Sequence, residues 1–179
     1  VYRFFPLNLF FYAHDGRYPA FVRFFWHLCD IFNLHSAFIV RRIIAKGKPS
    51  VIHTHNLKGI GYLIPWIIRL SGIRHAHTLH DVQLITPSSI IYPSGLQIAD
   101  CSDSIENSRL CRSRLQIFKN SIYVLSLLYA RICRALFASP NVVISPSRFL
   151  HDFYRARGFF PKSQWVILPN PVALQISDF

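Results

Sequence analysis

The sequence contains no methionine and only eight acidic residues among 179. A chain that opens on Val1 and lacks methionine altogether reads as an excerpt of a longer reading frame. The scarcity of acid leaves twenty lysines and arginines to set a formal net charge of +12. Such a surface favours an anionic partner: nucleic acid, an acidic bilayer or a phosphorylated small molecule. The cysteines, Cys29, Cys101, Cys111 and Cys133, form no C-x-x-C pair, which argues against a zinc ribbon and a redox motif. No secretory signal opens the sequence, so the expected compartment is a reducing cytoplasm with free thiols. Cys29 and Cys133 fall inside apolar helical patterns and are expected in the core. No long apolar run is present either. The best candidate, Ile122 to Ala130 between Lys119 and Arg131, is well short of the ~20 residues a spanning helix needs. Internal repeats and low-complexity tracts are absent, and with 51% apolar residues disorder is not expected.

What is present is an alternation of strand and helix patterns. Val1 to Phe11 is apolar and aromatic, broken by Pro6, and suggests a strand running into a loop. His14 to Pro19 reads as a turn. Apolar residues then recur at helical spacing from Ala20 to Lys46: Phe21, Phe24, Phe25, Leu28, Ile31, Phe32, Phe38, Ile39 and Ile43. Arg41, Arg42, Lys46 and Lys48 crowd the far end, where cations suit the helix dipole. Gly47 is a candidate C-cap, and Pro49 blocks continuation.

Val51 to His55 is predicted as a buried strand, Asn56 to Gly59 as a tight loop and Gly61 to Ser71 as a helix with Pro65 near its first turn. Gly72 closes that helix, and Arg74 to Leu79 is the next strand. Strand, helix, strand in about thirty residues is the βαβ unit of a parallel sheet. From Asp81 to about Cys111 the pattern gives way to a long loop with Pro87, Pro93 and Gly95. A helix is predicted from about Arg112 to Phe137, a strand at Asn141 to Ser145, a helix at Ser147 to Arg157 and a strand at Trp165 to Leu168. Ser147 is the candidate N-cap and Gly158 the stop. The predicted fold is α/β, a Rossmann-like doubly wound parallel sheet. Ligands of such sheets bind beyond the carboxyl ends of the strands. His55-Asn56, His80-Asp81, Ser145 to Arg148 and Pro169-Asn170 all occupy that position.

The histidines at these ends have three readings. His53 and His55 are two apart and share a strand face, as do His75 and His77. Four imidazoles on neighbouring strands would permit zinc. Against zinc, structural sites favour cysteine, catalytic sites commonly add a carboxylate, and no metalloprotease helix pattern appears. His53 and His75, deeper in their strands, read as core histidines bonded to backbone. His55 and His80 lie at strand ends beside Asn56 and Asp81. A neutral imidazole there can bond sugar hydroxyls, and a charged one can meet phosphate. Asp81 could orient His80 or accept a hydroxyl proton.

Four segments, Val51-Ile52-His53-Thr54-His55-Asn56-Leu57, His77-Thr78-Leu79-His80-Asp81, Ile144 to Leu150 and Val166 to Val172, closely resemble the family 4 (group 1) glycosyltransferases. Their order and spacing match the amino-terminal domain of that family. The resemblance implies one half of a GT-B fold, two Rossmann-like domains facing across a cleft, with the amino-terminal domain holding mainly the acceptor. It implies a retaining glycosyltransferase of the hexosyltransferase type, without metal or other cofactor, taking a nucleotide-sugar donor and a glycan or lipid-linked acceptor. By the same resemblance His80 lies beside the reacting sugar, and Asp81, His55, Asn56 and Gly59 line the cleft. Ser147 and Arg148 open a helix near the cleft, where amides and a cation favour phosphate. Asn170 and Pro171 mark the exit toward the second domain.

Two departures from the family pattern shape the expectation. No Gly-Gly loop precedes Val1, so a first strand is expected to be missing. The chain stops at Phe179, so the donor domain with its glutamate pair is expected to be missing too. Residues 1–172 would be an incomplete acceptor-side domain and 173–179 the start of a linker, with little transfer by the isolated chain. Peripheral attachment to anionic lipid at the inner face of the plasma membrane would suit the charge. Its candidates are Arg41, Arg42, Lys46 and Lys48, and Arg109, Arg112, Arg114 and Lys119. The alternatives are a non-catalytic sugar- or phosphate-binding remnant and a basic nucleic-acid-binding module. Nucleic acid is not the expected partner, because no recognition helix, zinc finger or aromatic strand motif is present.

Overall fold

The computed structural model describes residues 3–86 and 124–170. They fall into two compact units. One takes its residues from Val1–His80 and Phe137–Phe179, and the other from Asp81–Leu136.

The first unit holds the sheet. Strands β1 (Val51–Thr54), β2 (Arg74–Thr78), β3 (Val142–Ser145) and β4 (Gln164–Ile167) lie side by side in sequence order, every pair parallel. Parallel neighbours need crossover connections. Helix α3 (Ile64–Leu70) supplies the first, and α5 (Arg148–Arg155) links β3 to β4 and packs on both. This is the parallel α/β architecture expected from the strand–helix alternation, and it is consistent with a Rossmann-like half of a GT-B fold. All four strands fall within about one residue of their predicted bounds. Pro65 sits in the first turn of α3, where the missing N–H is no loss. Ser147 caps α5, its Oγ accepting from Leu150 N at 3.2 Å.

Other expectations are corrected. The single helix over Ala20 to Lys46 is two, α1 (Ala20–Ile31) and α2 (Leu34–Gly47). Asn33 makes the break, because its side chain accepts from Ser36 N at 2.8 Å and starts a new helix. The left-handed residue that ends α2 is Lys48, at φ 42°, rather than Gly47. Residues 3–8 carry no regular secondary structure, so the strand expected near the start is not found there. The turn at His14 is a 3-10 helix, Tyr12–Arg17.

The apolar periodicity of α1 is real, but its stripe faces outward. Phe21 is 67% exposed, and Phe24, Phe25, Leu28 and Phe32 are exposed with it. The buried side carries Trp26, Asp30 and Ile31. Trp26 Nε1 donates to Phe10 O at 2.7 Å. Cys29 is exposed on this helix, contrary to expectation, whereas Cys133 is buried. Cys101 and Cys111 lie outside the described residues. The sheet's core is aromatic, with Phe137, Tyr154, Phe159, Phe160 and Val143 nearly inaccessible.

In the second unit, residues 81–86 form a short turn and residues 124–136 are helical, part of α4 (124–137). Tyr129 Oη donates to Gln83 O at 2.7 Å within this unit. The rest of the long loop and the start of the long helix lie outside the described residues. Among the described residues no helix is long and apolar enough to cross a membrane.

Candidate functional site

Strand register decides which histidines meet. Thr54 pairs with His77 and Ile52 with His75, so His53 pairs with Ala76. Because side chains alternate faces, His75 and His77 share a face with Thr54, and His53 and His55 take the other face with Thr78. The four strand imidazoles therefore form two groups instead of one.

The first group is buried. His75 Nε2 and His77 Nδ1 each lie 2.8 Å from Thr54 Oγ. One hydroxyl has one proton to give, so at least one ring presents an N–H to Thr54. Burial, followed by the charge of His53, lowers His75 to about 4. Burial lowers His77 to about 3, with His75, His55, His53 and His80 adding to the shift. Both rings are neutral at pH 7. His75 is thus a core histidine as expected, although its ring bonds a side chain. The alternation His53-Thr54-His55 in the sequence marks Thr54 as the inward residue.

The second group is exposed. His53 Nε2 lies 2.8 Å from Thr78 Oγ, so His53 is a surface residue and not the core histidine expected. Its ring rests against His55, centroids 4.3 Å apart. His55 Nδ1 lies 3.1 Å from His80 Nε2. Loss of water around the His55 ring, then the nearby His53 and His80, lowers its pKa below the ordinary 6.5.

The loop after β1 is built around Asp30. Its carboxylate accepts from Gly59 N at 3.0 Å, and its backbone carbonyl from Tyr62 N at 3.3 Å. Gly59 (φ 85°) and Gly61 (φ 122°) both occupy the left-handed region. A Cβ on Gly61 would stand 2.7 Å from Asn33 Cβ. Burial drives the Asp30 carboxyl up to about 6, against the Gly59 hydrogen bond and the nearby Lys58. Asn56 Oδ1 accepts from Lys58 N at 3.0 Å, holding the loop's first turn. A lone acid in an aromatic helix was the available signal for Asp30.

Each predicted site residue has a definite place. His55 and Asn56 follow β1, His80 follows β2, Ser147 and Arg148 follow β3, and Asn170 follows β4. In an all-parallel sheet these ends lie on one edge. His55 and His80 are brought into hydrogen-bond distance. Gly59 is held back in the loop by Asp30. Ser147 is engaged in capping, and its carbonyl accepts from Ser145 Oγ at 2.8 Å. Arg148 and Asn170 are exposed. Asp81 begins the second unit, where its Oδ1 accepts from Gln83 N at 2.8 Å. Among the described residues no group of three or more His, Cys, Asp or Glu is arranged to hold a metal ion.

The profile of Glycosyltransferase Family 4 matches residues 3–176. The chain belongs to that family. It is also similar to a Klebsiella pneumoniae protein described as an uncharacterized 42.6 kDa protein in cps region, 26% identical over 147 residues. That match covers 82% of this chain and 34% of the relative, so the chain spans about a third of the relative's length. No solved structure matches. The family profile runs through all four strand ends, so the histidine-bearing edge is part of the family-4 domain rather than an addition to it.

Proposed function

We propose that the chain forms the acceptor-side part of a retaining glycosyltransferase. It would move a hexose from a nucleotide-sugar to a glycan or lipid-linked acceptor during surface polysaccharide synthesis. Family membership supports transfer of a sugar, and the relative in a cps region is in keeping with polysaccharide synthesis. The observation that carries the site assignment is the convergence of His55 and His80 at the carboxyl edge of the sheet. His80 bonds a hydroxyl of the reacting sugar, and His55 and Asn56 border the same edge. Asp81 accepts a proton or a hydroxyl bond from the acceptor. The first turn of α5 and Arg148 offer amide dipoles and a cation to phosphate. Asn170 leads toward the partner domain, which holds most of the donor. No metal enters this scheme.

An anionic membrane surface is the second partner proposed. The outward row Phe21, Phe24, Phe25 and Leu28 and the exposed Arg17 and Arg23 give one region apolar bulk and positive charge. That is the composition of an interfacial helix.

The test uses the longest reading frame containing this chain, assayed for nucleotide-sugar hydrolysis and transfer. Turnover abolished by His80→Ala supports the reading. Full turnover in that variant removes His80 from the chemistry, and absence of any turnover with sugar or lipid-linked acceptors leaves a binding domain. Sedimentation with vesicles containing anionic lipid, weakened by Phe24→Ser with Phe25→Ser, tests the membrane partner.

A further inference from the structure

We infer that His55 and His80 work as a single proton-sharing unit, in which His55 is a positioning residue that fixes the tautomer of His80. His80's part in the reaction rests on the transferase reading above, but the pairing itself does not.

His55 Nδ1 and His80 Nε2 stand 3.1 Å apart. Two neutral imidazoles can make this bond only if one nitrogen carries a proton and the other a lone pair. If His80 Nε2 donates, His55 Nδ1 is bare and the His55 proton sits on Nε2. If His55 Nδ1 donates, His80 Nε2 is bare and the His80 proton sits on Nδ1. Both rings therefore carry their protons on the same-named nitrogen, Nε2 in the first case and Nδ1 in the second. A mixed pair would place two protons or two lone pairs face to face.

Two consequences follow for the reaction. With Nε2 engaged, the nitrogen of His80 left for a ligand is Nδ1. The unit also has one outer N–H and one outer lone pair, on different rings. A proton arriving at His80 Nδ1 can be balanced by transfer of the inner proton from His80 Nε2 to His55 Nδ1. The His55 Nε2 proton then leaves to water. Each ring gains one proton and loses one, so the pair ends neutral.

The fold holds this geometry from behind. Thr78 anchors His53 at 2.8 Å, and the His53 ring lies 4.3 Å from the ring of His55. Strand alternation puts these groups on one face. The ionisable groups that bear on the pair are His53 beside it and His77 across the sheet. Asp81 follows His80 directly in the chain.

The experiment is long-range 1H–15N correlation of the histidine rings in the 179-residue chain at pH 8. In the wild type, His55 and His80 should show the same tautomer. His55→Ala should release His80 into a tautomer mixture. His55→Asn, whose carboxamide oxygen can take the place of Nδ1, should return His80 to one tautomer. Circular dichroism confirms that each variant is folded; both replace an exposed side chain. Opposite tautomers in the wild type would overturn the inference, as would His80 shifts indifferent to His55→Ala. None of these readouts needs turnover, so an inactive protein would count against the transferase reading alone.

Discussion

Acidification should set two buried imidazoles against one buried carboxylate. His75 and His77 have folded pKa values near 4 and 3, below the ordinary 6.5. Below pH 6.5 the unfolded chain therefore binds protons that the folded chain refuses, and stability is lost as pH falls. Asp30 works in the other direction. Its folded value is about 6, above 3.8, so the folded chain takes the proton first and stability is gained as pH falls from about 6 toward 3.8. At pH 4.5 each histidine has moved two units below its unfolded value, a loss of about 5 kcal/mol for the pair at about 1.36 kcal/mol per unit. Asp30 returns about 2 kcal/mol over the same change. The net loss of about 3 kcal/mol is a large part of the roughly 5–15 kcal/mol a domain holds.

Urea unfolding followed by far-UV circular dichroism at pH 7.5 and 4.5 measures these terms. Asp30→Asn removes the compensating group and should enlarge the acid loss to about 5 kcal/mol. His77→Gln lowers stability at both pH values by disturbing its contacts with Phe137 and Phe160. Its acid loss, however, should shrink by about 3 kcal/mol. If Asp30→Asn has the same pH dependence as the wild type, or His77→Gln keeps the full acid loss, the account of these buried groups is wrong.

Three further outcomes are expected. Gly61→Ala should lower the thermal midpoint and cost roughly 2–3 kcal/mol in chemical denaturation, because the new Cβ meets Asn33 at 2.7 Å on a backbone at φ +122°. Ser147→Ala should cost about 1 kcal/mol by removing the cap on Leu150 N, with Ser147→Asp recovering most of it. Chelation by EDTA should leave the proposed sugar transfer unchanged, and a loss restored by added divalent cation would overturn the metal-free scheme.

The strands were legible because each is a short β-branched or alternating run closed by a turn residue. Their carboxyl ends could be named once the βαβ pattern was seen. The separation of the histidines was half legible. Spacing of two fixes which side chains share a face within a strand, but the pairing of His53 with Ala76 rather than His75 is set by the crossover through α3. Exposure was not legible in α1, whose periodicity marks a stripe without saying which side the fold covers. The break at Asn33 was visible as Asn-x-x-Ser, a capping pattern hidden inside an apolar run. Asp30 could not be placed from sequence, because its partner Gly59 is 29 residues away.

The strand order also bears on how fast this domain can fold. β1 meets β2, and β3 meets β4, across little more than twenty residues each. The seam between β2 and β3 closes a far longer span; His75 N finds Asn141 Oδ1 across 66 positions. Closing the longer loop costs about 1 kcal/mol more chain entropy than either short one. The two βαβ halves can therefore assemble early and independently, leaving their union as the slow step. Asn141, which contributes one side-chain bond to that union, becomes a residue whose loss should slow refolding more than it speeds unfolding.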